Sequence, residues 1–470
     1  MGKYKYLLKN IGLLTLGNFA TKLLSFFLVP LYTSVLTTTQ YGTYDLLNTT
    51  IGILIPILTL NIMEAVVRFS IDDRTHLDAI VTVSTKFLIV SSLLVGIFIV
   101  ISNLLNVFPI LRNYGFYFWL MYVSQALTGI IVSFARGIDK VAAMSASSVI
   151  ASVVMIVCNI VFLLVFKWGL SGYFLANIIG PLIQCLYLIW STGYFKYINF
   201  NVNYQSSKKK LVAYSSPLIA NSIAWWVTNV SDRYIVTWFC GLAANGVYSV
   251  ATKIPSILSV AQTIFNQAWI LSAVKDFDPE DKDGFFANTY KVYNGLMVVI
   301  CSLIIFFDRF VASFLYAKNF YAAWKYVPFL TIAILFGAIS GYIGGFFTAK
   351  KATKIFATST VYGAIINIIL NIVLVPFIGA MGSSFATMVC YIVIWAIRFI
   401  QSKKYIHLKI NVKKDVLAYV LLIVQSILLI SFSQEILVYS LQTLIIAVIL
   451  VIYFNDVKFL LRKMAVKFMN

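Results

Sequence analysis

Apolar runs of about 20 residues recur from one end of the chain to the other, parted by short polar or Gly/Pro-containing breaks. Wound as a helix, a run of that length crosses the roughly 30 Å hydrocarbon core of a bilayer. Reading each run as one crossing predicts helices near 10–36, 44–68, 79–103, 115–135, 141–166 and 171–194. A second series follows near 211–239, 246–273, 287–307, 324–347, 355–375 and 380–400, and two more helices near 415–433 and 436–454 bring the count to fourteen. Composition excludes an ordinary soluble protein: 61% of the 470 residues are hydrophobic and 11% charged, where soluble domains carry roughly 25% charged residues. The expected fold class is all-α and integral to the membrane. The basic start MGKYKYLLKN leads into an apolar stretch that holds Lys22 and Pro30 and shows no small-residue cleavage signal, so it reads as a first helix rather than a signal peptide.

The net charge of +20 comes from 36 Lys and Arg against 16 Asp and Glu. On a soluble chain it would point to nucleic acid; here topology accounts for it, and no nucleic-acid partner is expected. With the N-terminus inside, 27 Lys and Arg fall on cytoplasmic segments and 5 on outside ones, namely Arg112, Lys167, Arg309, Lys318 and Lys325. Cytoplasmic loops are the ones that collect basic residues, so both termini are expected in the cytoplasm. The segment from Phe195 to Lys210, ending in three lysines, is the natural joint between two halves. Five cysteines, all inside apolar runs, form no CxxC or Cys/His cluster, so no disulfide framework, metal site or cofactor is expected.

The halves resemble each other. Laying 205–275 over 1–71 at an offset of 204 sets YGTYD (Tyr41 to Asp45), read as a loop, on NGVYS (Asn245 to Ser249), pairing Gly42 with Gly246 and Tyr44 with Tyr248. Further on, Asn159 pairs with Asn371, and Gly169 and Gly172 match Gly379 and Gly382 after a two-residue shift. An ordered series of matches over the same helix count indicates a six-plus-six duplication. Six is even, so the halves enter the membrane in the same orientation, as in parallel-repeat transporters with a cavity between lobes. The expected division is an N-terminal lobe 1–200, a C-terminal lobe 201–403, and two further helices with a cytoplasmic tail in 404–470.

An ionisable residue near the bilayer centre costs from about 2.5 kcal/mol upward, so each needs a reason. Lys22 lies one turn after Asn18 and reads either as a cation lining the cavity or as a snorkelling lysine. Glu64 and Arg68, four apart, share a helix face and suit an ion pair, with an anionic head group as the other partner for Arg68. The seventh run, SSPLIANSIAWWVTNVSDRYIVTW, is the least hydrophobic and carries Asn221, Asn229, Asp232 and Arg233. It reads as lining water, with Asp232 either in an ion pair or in ion coupling. Lys253, two residues before Pro255, combines a cation with a helix irregularity. Lys86 reads as snorkelling. Tyr32, Trp225, Trp226 and Trp269 read as packing residues or as sugar-stacking surfaces, the glycines of GYIGG (Gly341, Gly344, Gly345) as close-packing or hinge positions, and Asn159, Asn367 and Asn371 as interhelical hydrogen-bonding groups.

No enzyme platform is visible: there is no Walker A, GxSxG or HExxH pattern, and the two histidines, His76 and His407, fall in loops. The longest external connection, between the ninth and tenth runs, has about 16 residues, short for a catalytic domain. Within the cavity set, Lys22, Arg68, Arg233 and Lys253 outnumber Glu64 and Asp232, which favours an anionic substrate.

The opening NIGLLTLGNFATKLLSFFLVPLYTSVLTTTQYGTYDL, followed by NIMEAVVRF, resembles the polysaccharide transport family of the MOP (multidrug/oligosaccharidyl-lipid/polysaccharide) superfamily, and SDRYIV and GVYSVATKIPSIL look like its seventh- and eighth-helix patterns. The resemblance implies a Wzx-type flippase that moves an undecaprenyl-diphosphate-linked O-antigen or capsule repeat unit across the bacterial cytoplasmic membrane. It implies that Lys22, Arg68, Arg233 and Lys253 meet the diphosphate or acidic sugars, and that membrane lipid, a polysaccharide polymerase and other assembly proteins are partners. Two rival classes make different demands. A multidrug exporter of the same superfamily would need cavity acids in excess, and a membrane glycosyltransferase would need catalytic carboxylates and larger loops. A peptidoglycan or teichoic-acid precursor fits the flippase reading as well. The topology has a direct check: a green fluorescent protein fused to the C-terminus is expected to fluoresce and an alkaline phosphatase fused there to be inactive, and the opposite pair of results would invert the assignment.

Overall fold

The computed structural model describes residues 26–72, 74–202, 204–275, 277–350, 352–432 and 434–469. All regular structure among them is helical. The chain forms two compact units, Met1–Val230 and Ser231–Asn470. The first holds α1 (Val29–Val35), α2 (Thr38–Leu58), α3 (Ile62–Asp72), α4 (Leu77–Leu105), α5 (Pro109–Gly137), α6 (Val141–Ile160), α7 (Gly169–Thr192), α8 (Gln205–Ser215) and α9 (Leu218–Val230). The second holds α10 (Asp232–Ala251), α11 (Pro255–Lys275), α12 (Phe285–Leu315), α13 (Val327–Ala349), α14 (Thr353–Ile378), α15 (Ala380–Ser402), α16 (Val412–Ser431) and α17 (Glu435–Met469). Among the described residues 11 helices are long and apolar enough to cross a membrane, or up to 12 if the bent pair α2 and α3 forms one span. The expected fourteen are therefore not all present as unbroken spans, and most of the predicted first helix lies outside the described residues.

The differences have local causes. The second predicted run is two helices bent by 55°. Leu60 and Asn61, both at φ 52°, break it after Pro56, whose carbonyl accepts the Asn61 N–H at 2.8 Å. Tyr41 to Asp45 form no loop: they occupy the start of α2, which begins earlier than expected because Thr37 and Gln40 cap it reciprocally, at 3.2 and 2.9 Å. The seventh run is divided twice. Pro217 has no N–H to continue α8, and at Ser231 the Asp232 carboxylate takes the N–H of Arg233 at 3.0 Å, a side-chain bond that competes with the helical ladder. The connection after α12, expected on the outside, is shorter than expected, because α12 runs on to Leu315 and a 3-10 helix occupies Lys318–Lys325. The C-terminal tail continues α17 as far as Met469.

The internal repeat is visible in each unit taken separately. Thr37, extended at ψ 160°, separates α1 from α2, and Gly241, 204 positions on, interrupts α10 at φ 83° and ψ 172°. Asn159 and Asn371, paired by sequence, are 1% and 0% exposed, and each donates Nδ2 to the carbonyl four residues earlier, at 2.8 and 2.9 Å. Gly169 and Gly379 both take positive φ, 55° and 63°, at the turn of a tight hairpin. A Cβ on Gly172 would meet the Phe162 Cβ at 2.9 Å, and one on Gly382 the Leu374 Cβ at the same distance, so α6 packs on α7 as α14 packs on α15.

In the second unit α13 is the core helix, with 83% of its central window buried against 22–56% for the other spans. Its glycines serve close packing: a Cβ on Gly345 would lie 2.6 Å from Trp269 Nε1, and one on Gly344 2.8 Å from the Phe356 ring. The two last helices attach by buried polar groups. Tyr419 Oη donates to Asn294 Oδ1 at 2.8 Å, Asn294 Nδ2 to Tyr453 Oη at 3.1 Å, and Tyr453 Oη to Asp415 at 2.9 Å. Deeper, Ser302 Oγ donates to Gln425 Oε1 at 2.8 Å, and Gln442 Nε2 to the Gln425 carbonyl at 2.9 Å. Gly345→Ala is expected to destabilise the protein by about 1–3 kcal/mol. Gly52→Ala, with nothing within 4 Å of its Cβ, should be neutral or slightly stabilising; thermal unfolding of both purified variants checks the contrast.

Candidate functional site

The most concentrated polar group in the second unit surrounds Asp232, which is 6% exposed. Its carboxylate accepts the Tyr248 hydroxyl at 2.5 Å and lies 3.5 Å from Thr387 Oγ1. Sixteen residues of straight helix would hold Asp232 and Tyr248 roughly 24 Å apart; the reversal of α10 at Gly241 returns Tyr248 to the level of Asp232. Behind Thr387, Asn367 Nδ2 approaches Thr387 Oγ1 at 3.4 Å, and Asn371 Nδ2 donates to the Asn367 side chain at 3.2 Å. Three elements, α10, α14 and α15, thus point oxygen atoms at one place. The Asn371 Oδ1, at the far end of this chain of side chains from Asp232, is buried without a hydrogen-bond partner among the described residues. Such a cluster can hold a proton or a small cation at membrane depth.

The other candidates are placed as follows. Arg233 is half-buried on α10, and Lys253 is half-buried in the turn Thr252 to Ile254 between α10 and α11, its carbonyl accepting the Ser256 hydroxyl at 2.6 Å. Asn229 donates back to the Trp225 carbonyl at 2.8 Å. Glu64 and Arg68 share a face of α3 but do not pair: Arg68 bonds Asp72 at 3.1 Å, and both Glu64 and Arg68 are exposed. The spacing rule holds equally for Arg68 and Asp72, and the later acid wins. Asn18 and Lys22 lie outside the described residues. Tyr32 stacks on Tyr41 at 4.7 Å, and Trp269 stacks on Tyr342 at 4.0 Å while donating to its carbonyl at 2.8 Å, so both are core residues. Trp225 is exposed, and Trp226 is half-buried with its indole N–H on the Thr49 carbonyl.

Sequence reading passed over several charged residues. Asp45, assigned to a loop, is half-buried in α2. Asp308, one residue past the predicted end of its helix, is fully buried in α12, and neither carboxylate oxygen has a hydrogen-bond partner among the described residues. Arg309, assigned to the outside, also belongs to α12; it reaches the carbonyls of Leu429 and Phe432 and lies 4.4 Å over the Trp324 ring. Arg398, assigned to a cytoplasmic segment, is 5% exposed in α15, where Ser359, Thr360 and the Ser340 carbonyl accept its guanidinium at 3.0–3.1 Å and Phe356 covers it. Only its distance from a predicted helix end, shorter than one turn, hinted at burial.

Two helical units with a repeated sequence pattern and many long apolar helices, some of them interrupted, define a polytopic membrane protein. Solved structures share the fold. The lipid II flippase MurJ in an inward closed conformation superposes with a TM-score of 0.67 at 15% identity, over 96% of this chain and 99% of its own. An inward-facing multidrug resistance MATE transporter of the MOP superfamily gives 0.66 at 13% identity, over 82% and 94%. A MOP superfamily transporter from Pyrococcus furiosus, whose binding pocket is described as reversed in polarity, gives 0.56 at 12%, over 84% and 95%. No curated protein sequence matches the chain. Residues 7–270, more than half of the chain, match the family described as polysaccharide biosynthesis protein, and the chain belongs to that family.

Removing the Asp232 carboxylate takes away the acceptor of the buried Tyr248 hydroxyl, while Thr387 keeps its bond to the Ser383 carbonyl at 3.0 Å. Asp232→Ala is therefore expected to cost about 1–3 kcal/mol. Asp232→Asn, which keeps one acceptor oxygen, should cost less, as thermal unfolding of the two purified variants will show.

Proposed function

We propose that this protein flips undecaprenyl-diphosphate-linked oligosaccharide repeat units, of O-antigen, capsule or another surface polysaccharide, from the inner to the outer leaflet of the bacterial cytoplasmic membrane by alternating access. The observation that carries the reading is the conjunction of a polysaccharide biosynthesis family with a fold that follows a lipid II flippase over 96% of the chain. The MATE exporter accounts for only 82%, leaving a stretch that the flippase fold includes. The peptidoglycan precursor named for that flippase is the alternative cargo of the same chemistry, and a multidrug exporter is the alternative class.

The physics of the cargo fits. Each hydroxyl of a glycan head costs free energy in hydrocarbon unless it is hydrogen-bonded, while the polyprenyl tail is at home in lipid. A polar path open sideways carries the head and leaves the tail in the bilayer. In this reading the cationic path is formed by Arg233 and Lys253, with Lys22 and Arg68 contributing further charge and Asn18 and Asn229 hydrogen bonds. Arg68 contributes least, being already paired with Asp72. An inside-negative potential favours outward movement of an uncompensated anion by about 2.3 kcal/mol per charge per 100 mV. Asp232 is the coupling carboxylate, taking up and releasing a proton or a small cation as the protein changes state; Glu64, exposed on α3, is the other acid at which coupling can occur.

Proteoliposomes holding a fluorescent undecaprenyl-diphosphate oligosaccharide test this. Wild type is expected to move the lipid, with Arg233→Ala and Lys253→Ala each slowing movement tenfold or more while remaining folded. Asp232→Asn should still bind the lipid but lose the response to an imposed pH or cation gradient. Wild type that moves no such lipid under any voltage or gradient, yet expels drugs from cells, would replace the flippase reading with the exporter one.

A further inference from the structure

A cavity of about 250 Å³ lies in the first unit between α4 and the start of α8, lined by none of the residues assigned to cargo. Its polar wall carries two ammonium groups. Lys86 Nζ sits 5.9 Å from the Phe200 ring centroid, and Lys208 Nζ sits 5.9 Å from that of Phe87. The nearby carboxylate, Asp78, is occupied by the Tyr204 hydroxyl at 2.5 Å, so it is turned to a neutral partner. Tyr204, the N-cap, and Gln205, the first residue of the 11-residue helix α8, line the cavity, so that helix N-terminus faces it beside the two lysines. Two cations next to a helix N-terminus at one cavity make a site for an anionic oxygen group.

The rest of the wall says what the anion is attached to. Val83, Phe87 and Val90 make the cavity floor apolar. Beyond Lys86, the exposed side chains of α4 are apolar as far as Ile101: Ile89, Val90, Leu93, Leu94 and Ile97 are each 45–59% exposed. That change marks the level where head groups give way to hydrocarbon. A free anion would have no use for an apolar strip leading away from its site. We propose that this cavity binds an anionic phospholipid, its phosphate between Lys86 and Lys208 and its acyl chains along the exposed face of α4. Snorkelling, the sequence-level reading of Lys86, and lipid binding are then one arrangement seen from the two sides.

The test is retention of phosphatidylglycerol against phosphatidylcholine by the full-length protein in detergent, read by native mass spectrometry. Each lysine near an anionic surface contributes about fivefold in affinity, so Lys86→Gln/Lys208→Gln is expected to lose phosphatidylglycerol retention by roughly 25-fold. Lys86→Arg/Lys208→Arg should keep it, which guards against a loss caused by misfolding. Lys209→Gln/Lys210→Gln removes the same charge from neighbours that do not line the cavity and should stay within about twofold of wild type. Equal retention by wild type and the Lys86/Lys208 variant would overturn the proposal, as would an equal loss in the Lys209/Lys210 variant, which would reduce the effect to bulk charge. Displacement of the lipid by free glycerol 3-phosphate at matching concentration would overturn it too, since the site would then belong to a soluble phosphate.

Discussion

A backbone in hydrocarbon has no water to bond, so every N–H and C=O must find its partner within the protein. That constraint decides where this chain is able to bend. The break between α2 and α3 is closed by the Pro56 carbonyl and by Thr59, fully buried, whose hydroxyl returns to the Ile55 carbonyl at 2.7 Å. The break between α10 and α11 is closed by Tyr316, whose hydroxyl donates to the Val250 carbonyl at 3.2 Å. Irregular backbone is thus found where side chains are on hand to satisfy it. The turn between α10 and α11 also carries the half-buried Lys253, because a backbone that has left its own ladder and a charge that has left water need the same dipoles.

This explains what could be read from the sequence and what could not. The apolar runs of α4, α6, α7, α14 and α15 were legible almost to their ends, because a continuous apolar face has one stable solution in a bilayer. The broken helices were not. Pro255 flagged one interruption, but Pro217 was read through, Leu60 and Asn61 carry no such mark, and Gly241 is one glycine among 24. Thr37 and Gln40 have the spacing of a capping box, a helix-start signal that the reading of YGTYD as a loop does not use.

The Asp232 cluster was half legible. Its carboxylate stood out as an acid in a membrane run, and Asn367 and Asn371 as amides one turn apart. Their convergence was not, since it depends on the reversal at Gly241 and on Thr387, which as a threonine in an apolar helix gives no signal. Asp308 and Arg398 show the complementary failure. Charge counting assigns ionisable residues near predicted helix ends to loops, yet α12 runs on to Leu315 and carries Asp308 inside, while Arg398, within its predicted run, is buried where Ser359, the Ser340 carbonyl and the Phe356 ring do what solvent would have done.

The attachment of α16 and α17 bears on how such a protein changes over evolutionary time. Between membrane helices, apolar packing is non-specific, since lipid chains compete equally well for the same surface. The last two helices are instead held to α12 by directional bonds through Asn294, Ser302, Gln425 and Tyr453. Losing the pair would turn Asn294 and Ser302 out toward lipid with nothing to bond. The pair is therefore no detachable appendix: a lineage could shed or gain it only by rewriting the buried face of α12 at the same time, which makes helix number in this fold a slowly changing trait.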